Sequence, residues 1–316
     1  MRTFLLRRLL SSVGGILALS VLIFALIRLV PGDAVTMWMG LEGNMSPEVQ
    51  LTLRKLFGLS DPGYVQYLNW LRDLLQGNLG YSLSSHLAVV PSVWQALPIT
   101  LELSALAVLL SAIVALPLGI LSAVQRNGPL DFVARVLGLI GLSMPGFWIG
   151  VLFILISTTV FNWLPSLIFV SFFKDPGENL QQMAMPATAL ALPLMGVLMR
   201  MTRSAFLEVL NQDYMRTARA KGLTEPLVLV RHAMKNALIP IVTVMGIQLG
   251  RLLGGAVIVE QIFGLPGVGS LLVSAIGERD YPMVQGTVLI IGSLFILVQF
   301  VVDLSYAFID PRIHYA

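Results

Sequence analysis

Cysteine is absent from the 316-residue sequence, and charge is scarce: Asp, Glu, Lys and Arg make up only 12% of it. The first absence excludes disulfides, thiolate nucleophiles and cysteine-ligated metals. The second excludes an ordinary soluble domain, in which about a quarter of residues are charged. A chain this poor in charge cannot cover itself with polar groups in water, so lipid must be part of its solvent. G-x-x-x-x-G-K-[ST] is missing too, so any ATP hydrolysis belongs to another chain. No H-E-x-x-H occurs and His86, His232 and His314 are scattered, which leaves a metalloprotease unsupported. An intramembrane hydrolase would need a nucleophile–base pair or paired acids at depth. There is no G-x-S-G, no G-x-G-D and no histidine on a candidate span.

What is there is apolar: 56% of residues are hydrophobic and mean hydropathy is +0.84. A membrane helix needs roughly 20 apolar residues. Six stretches are candidates: 9–29, 99–124, 133–161, 186–199 with ragged ends, 238–259 and 283–308. The expected fold is therefore all-α with six transmembrane helices. The first run starts behind basic residues, as a secretory signal does, but its length favours a retained helix over a cleaved one. The third contains Ser143-Met144-Pro145-Gly146 and is expected to kink or tilt. The fourth is short, holds Pro186 and Pro193, and is expected to run on towards Leu207 beyond the lipid.

Lysine and arginine set the orientation. With the N-terminus in the cytoplasm, thirteen of the twenty basic residues lie inside, five lie outside, and Arg28 and Arg251 lie within spans. Three of the outside five sit in one long loop, where the rule has little force. An N-in, C-in arrangement follows. Two outside segments are long enough to fold. Residues 31–98 hold a helix start at Ser46-Pro47-Glu48, with Ser46 as cap, and an amphipathic stretch at 64–75. Trp70 and Trp94 suit the membrane interface or a core equally. Residues 262–282 contain a turn at Pro266-Gly267-Val268-Gly269 and a short helix at 271–276 on the membrane surface.

The largest inside loop, 200–236, carries seven of the thirteen inside basic residues. Within it, 213–221 has good helix formers, an acid at its start and basic residues at its end, which suits the helix dipole. Gly222 can take the left-handed conformation that stops a helix. Thr224 can cap a second helix, with Glu225 and Pro226 in its first turn, running through Asn236 into the membrane at Leu238-Ile239-Pro240. The result is a helix–Gly–helix elbow attached to the fifth span. Composition alone allows a blander reading, a basic loop that only sets topology.

The same stretch resembles the EAA loop of ABC-importer permeases, in the form found in the oligopeptide/dipeptide/nickel group. It reads Asp213-Tyr214-Met215-Arg216-Thr217-Ala218-Arg219-Ala220-Lys221-Gly222-Leu223, then Arg231-His232-Ala233-Met234-Lys235-Asn236-Ala237-Leu238-Ile239-Pro240. Arg216 replaces the acidic residue of the general form, and the spacing from Gly222 to Pro240 is longer than in sugar transporters; both are usual for the peptide group. Leu29-Val30-Pro31-Gly32-Asp33, Gly77-Asn78-Leu79-Gly80-Tyr81-Ser82, Leu97-Pro98-Ile99-Thr100-Leu101-Glu102-Leu103 and Ser143-Met144-Pro145 resemble the group as well. So do Phe263-Gly264-Leu265-Pro266-Gly267-Val268-Gly269, Arg279-Asp280-Tyr281-Pro282 and Asp310-Pro311-Arg312-Ile313. The likeness covers nearly the whole chain; residues 166–182 match nothing of use.

The resemblance implies a type I ABC-importer permease of the bacterial inner membrane. Its parts would be an N-terminal helix at 1–30, an extracytoplasmic region at 31–96, a transmembrane domain at 97–308 with a coupling elbow at 211–240, and a cytoplasmic tail at 309–316. It implies a homologous second permease, two ATPase subunits carrying ATP and Mg, and an extracytoplasmic solute-binding protein. This chain would hold no cofactor, metal or catalytic residue. Asp213, Tyr214, Arg216, Thr217, Ala218, Arg219, Ala220, Lys221, Gly222, Arg231, His232, Asn236 and Pro240 would couple to the ATPase. Pro266, Gly267, Gly269, Asp280, Tyr281 and Pro282 would shape the last outside loop. Di- or oligopeptides are the expected solutes, with glutathione, a nickel chelate or another small solute as alternatives. A self-contained secondary transporter is a second alternative; those often show inverted repeats, and none is seen.

Other features carry two readings each. Gly246, Gly250 and Gly254 recur every fourth residue in the fifth span, a stripe for close helix packing or for lining a pathway. Arg251 is a charge deep in a span, where cost makes it a functional candidate; it pairs with Glu102, faces water, or snorkels outward. Glu260 and Asp303 read as interfacial. Fourteen methionines suit adaptable packing.

Overall fold

A computed structural model of the chain describes residues 2–29, 48, 52, 60–166 and 168–309. Val30-Pro31-Gly32-Asp33, the Ser46-Pro47 helix start and residues 310–316 lie outside them. The described residues are almost entirely helical. In chain order they form α1 (Arg2–Leu29), α2 (Gly63–Leu75), α3 (Val89–Val124), α4 (Pro129–Ser143), α5 (Gly146–Val160) and α6 (Pro176–Leu210). Then come α7 (Asp213–Ala220), α8 (Glu225–Leu227), a π-helical turn (Val228–Ala233), α9 (Met234–Gly255), α10 (Val257–Phe263), α11 (Val268–Gly277) and α12 (Tyr281–Ile309).

Five of these are long and apolar enough to cross a membrane, and two bent pairs raise the count to as many as seven. The third expected span is the clearest departure from the sequence reading. Instead of one kinked helix, α4 and α5 meet at 95°. Pro145 has no N–H to continue α4 and forces Met144 into an extended conformation, φ −102 and ψ 124. The fourth span is not short: α6 runs through both Pro186 and Pro193 for 35 residues. A buried helix tolerates such prolines because its neighbours supply the lost packing and polar partners. The second bent pair, α10–α11, turns 89° at Gly264-Leu265-Pro266-Gly267. Helix α11 covers the short surface helix expected at 271–276, and α2 covers the amphipathic stretch at 64–75.

Helices α3 and α6 form the spine. Leu103 and Ala107 of α3 pack on Met183, Ala187 and Leu194 of α6, with Leu252 and Val259 closing the cluster. The helices approach closely because small residues face each other. A side chain at Gly119 would meet the Met199 carbonyl at 2.9 Å, and one at Gly196 would meet the Gly138 carbonyl at 2.5 Å. Helix α12 packs on α9 and α1. Near one end, Arg8 of α1 pairs with the buried Asp303 of α12. The elbow lies at this end too, since Ala123 and Phe206 share a cluster with Met215, Val228 and Ala237. At the opposite end α2 lies against α1: Ser20 bonds the Tyr67 hydroxyl at 2.9 Å and Phe24 stacks near Trp70 at 5.8 Å. Trp70 is half-buried there, and Trp94 is exposed.

Candidate functional site

The segment after α6 forms two arms. Asn211 Nδ2 donates to the Leu207 carbonyl, 2.9 Å, and the chain turns into α7. Only Met215 and Ala218 of α7 are buried, facing α6 and the π-helical turn. The same helix periodicity leaves Asp213, Tyr214, Arg216, Thr217, Arg219 and Ala220 exposed, and Lys221, Gly222 and Arg231 with them. Gly222 sits at φ +76, the left-handed conformation the sequence requires to end α7.

Side chains brace the elbow. Arg219 Nε donates to Glu225 Oε1 at 2.6 Å across the Gly222 turn. Asn236 Nδ2 donates to the Tyr214 hydroxyl at 2.7 Å, tying α9 to α7. Arg216 bonds Asp213 at 3.4 Å, an exposed pair worth little. Thr224 takes the N-cap position of α8, with no capping bond from its side chain. His232 and Pro240 are half-buried, the latter inside α9. The sequence offered no sign of the π-helical turn at Val228–Ala233, which joins the elbow to α9; such turns within α-helical runs are frequent at functional sites. The whole is a braced knob with a cationic outer face and no nucleophile–base pair.

At the other end of the molecule two carboxylates sit where sequence reasoning placed loops and interfaces. Glu260, which the sequence placed near a span end, is fully buried within the protein. Its Oε1 accepts from Thr100 Oγ1 at 2.7 Å and its Oε2 from the Ser270 N–H at 3.0 Å; the Gly269 N–H also bonds it. Thr100 Oγ1 in turn accepts from the Val268 N–H at 2.9 Å. The carboxylate thereby ties α10, α11 and α3 together. Gly267 and Gly269 are buried against it, and a side chain at Gly267 would run into the carboxylate. Pro266 is exposed at the turn. The signal for this contact was legible only in part: an acid in an apolar helix, followed by glycines that leave N–H groups accessible.

Asp280, also buried, receives Ser82 Oγ, the Leu83 N–H at 3.1 Å and Ser84 Oγ at 3.2 Å. Its Oδ1 accepts from the Met283 N–H at 3.1 Å, capping α12. It joins two segments that the sequence reading singled out separately. Tyr281 and Pro282 follow, half-buried.

Gly246 packs against Val302 and Gly250 against Phe295, so α12 of the same chain occupies two positions of the glycine stripe; Gly254 is open. Arg251 is exposed and donates to Gln248 Oε1 at 3.4 Å, not to Glu102. Asp303 is buried and pairs with Arg8. One cluster escaped the sequence reading entirely. Asp131, in the first turn of α4, is fully buried and accepts Arg203 Nε at 2.8 Å, Arg203 at 3.0 Å, Ser122 Oγ at 2.6 Å and the Asn127 N–H at 2.9 Å. Its one sequence signal is an acid just after Gly128-Pro129. Among the described residues no group of three His, Asp or Glu could hold a metal ion.

A bundle of long apolar helices with broken helix pairs and a protruding basic elbow fits a membrane-embedded protein, and comparison with known families gives its class. A family model described as the binding-protein-dependent transport system inner membrane component matches residues 115–315, and its N-terminal companion matches 1–104. The chain belongs to this family and is an inner-membrane permease component. It is 40% identical over its whole length to a putative peptide transport system permease protein of Brucella suis biovar 1, which it covers fully. It is 40% identical to the di/tripeptide transport system permease protein of Pseudomonas aeruginosa, covering 100% of this chain and 99% of that one. It is 36% identical to the dipeptide transport system permease protein of Alkalihalophilus pseudofirmus, with full coverage of both. The solved inward-facing MetNI methionine ABC transporter shares the fold: TM-score 0.54 at 22% identity, over 70% of this chain and 96% of that one.

Proposed function

We propose that this chain is one of two permease subunits of an ATP-driven importer for di- or oligopeptides. The elbow carries the reading. A helix held by two buried residues, closed by the Arg219–Glu225 and Tyr214–Asn236 bonds, offers its entire remaining face to a partner. Because α9 continues from the elbow through the π-helical turn, displacement of α7 is passed to a long apolar helix and to α12 packed on it. Residues 211–240 are the coupling segment, with Asp213, Arg216, Thr217, Ala220, Lys221 and Arg231 towards an ATPase subunit that binds ATP and Mg.

The orientation is N-in, C-in, with the elbow in the cytosol. In this arrangement α4–α5 crosses as one broken span and α10–α11 stays at the outer surface, giving six crossings. Residues 31–96, with the Asp280 and Glu260 contacts, form the outer side that receives a solute-binding protein; 97–308 form the transmembrane domain and 309–316 a cytosolic tail. The peptide assignment is supported by the names of relatives at 36–40% identity over full length.

The test is uptake in proteoliposomes holding this chain, its partner permease and the two ATPases, with the binding protein outside. Labelled dipeptide should accumulate only with internal ATP and external binding protein. Accumulation driven by an ion gradient without ATP would refute the reading.

A further inference from the structure

A cavity of about 270 Å³ opens between α4 and α6, with Ser122 of α3 at its back. Its lining has a direction. On α4 it runs from Arg135 to Gly138, Leu139 and Leu142; on α6 it runs in parallel from Arg203 and Arg200 to Met199 and Gly196. The guanidiniums therefore crowd the elbow end of the cavity, and its wall towards the middle of the bundle is apolar. The close approach of Gly196 to Gly138 sets the floor of the groove.

The charges do not cancel. Asp131 is the carboxylate at this mouth, and Arg203 takes both of its oxygens. Arg135 reaches the same oxygen only at 3.5 Å and is half exposed. Arg200 is exposed and makes no ion pair among the described residues. The neighbouring face of α4 presents Val136, Leu139 and Ile140 outward, a surface suited to hydrocarbon. One guanidinium unpaired among the described residues, Arg200, and a second, Arg135, held only by long contacts to Asp131, lie above an apolar slot and match an amphiphile with an anionic head.

We infer that this cavity binds an anionic phospholipid of the leaflet at the elbow end. Its phosphate sits between Arg135 and Arg200, and an acyl chain lies along Leu139, Leu142 and Met199. Arg203 does not contact the phosphate: its role is to hold Asp131, which stops that carboxylate from repelling the head group. A basic pocket between membrane helices is a known chemistry for anionic head groups. The inference is independent of the transported solute.

Native mass spectrometry on the purified full chain tests it, with added phosphatidylglycerol or phosphatidylcholine of identical acyl chains. The wild type should retain phosphatidylglycerol over phosphatidylcholine by on the order of thirtyfold, the product of two arginines each favouring the anionic head about fivefold. The Arg135→Gln/Arg200→Gln double variant should lose this preference, and Arg216→Gln/Arg219→Gln, which removes the same charge from the elbow, should keep it. Equal retention of both lipids by the wild type would overturn the proposal. So would unchanged preference in the first variant, or loss in both. A photoactivatable phosphatidylglycerol on the wild type is independent of variant folding. Adducts at 134–142 and 196–203 support the site; adducts only elsewhere overturn it.

Discussion

Replacing Glu260 by alanine is expected to release α11 from the rest of the bundle. The variant removes the acceptor for two backbone donors, the N–H groups of Gly269 and Ser270, and for the Thr100 hydroxyl. Orphaning a buried donor costs about 1–3 kcal/mol. The Thr100 hydroxyl still accepts from Val268, so its loss is the smaller part. Two orphaned N–H groups then cost about 2–6 kcal/mol, a factor of roughly 30 to 10⁴ in the local opening equilibrium. Amide hydrogen exchange reads this directly, because local opening of Val268–Gly277 exposes its amides. Glu260→Gln separates the hydrogen-bond argument from mere volume. Its amide oxygen can face the two N–H groups while its NH₂ donates to Thr100, so exchange should stay within about tenfold of wild type. Exchange in Glu260→Ala that matched wild type would refute the reasoning, as would a Gln variant as damaged as the Ala variant.

Three further outcomes follow from contacts elsewhere. Gly222→Ala places a Cβ at φ +76, a cost of roughly 1–2 kcal/mol, and should speed amide exchange across Asp213–Ala220 by about tenfold. Gly196→Ala drives a methyl towards the Gly138 carbonyl and should destabilise the chain by about 1–3 kcal/mol, seen as a lower midpoint on thermal unfolding in detergent. Asp131→Ala strips Arg203 of its partner and should lower that midpoint more than Arg135→Ala, since the Arg135 contact is long and exposed; equal effects would contradict the assignment of roles.

Much of the fold was legible because lipid demands long apolar helices, and length and hydropathy register that demand directly. The elbow was legible for a different reason: a dipole-matched helix, a glycine in the left-handed region and a proline-led restart are local signals. What escaped was non-local. Asp131 gains its role from Arg203, seventy-two residues away, and Glu260 from Thr100, a hundred and sixty residues away. Neither partner is visible to spacing rules, so Glu260 read only as an interfacial acid and Asp131 drew no reading at all. The break between α4 and α5 was expected as a kink but not as a 95° turn, because the size of the bend depends on α6 receiving α5 through Gly146 and Gly150. The glycine stripe carried two readings, packing or pathway; α12 lies on Gly246 and Gly250, a partner that could not be named from sequence.

The absence of cysteine makes one measurement decisive for the coupling role of the elbow. Lys221→Cys, in the assembled transporter, provides a single thiol on the exposed tip of the elbow. The thiol should react with a membrane-impermeant maleimide only when the cytosolic face is accessible. It should also cross-link to an ATPase subunit, with a yield that changes on ATP binding. Labelling from the extracytoplasmic side, or free labelling without any ATPase cross-link in a transporter that still imports, would contradict the account.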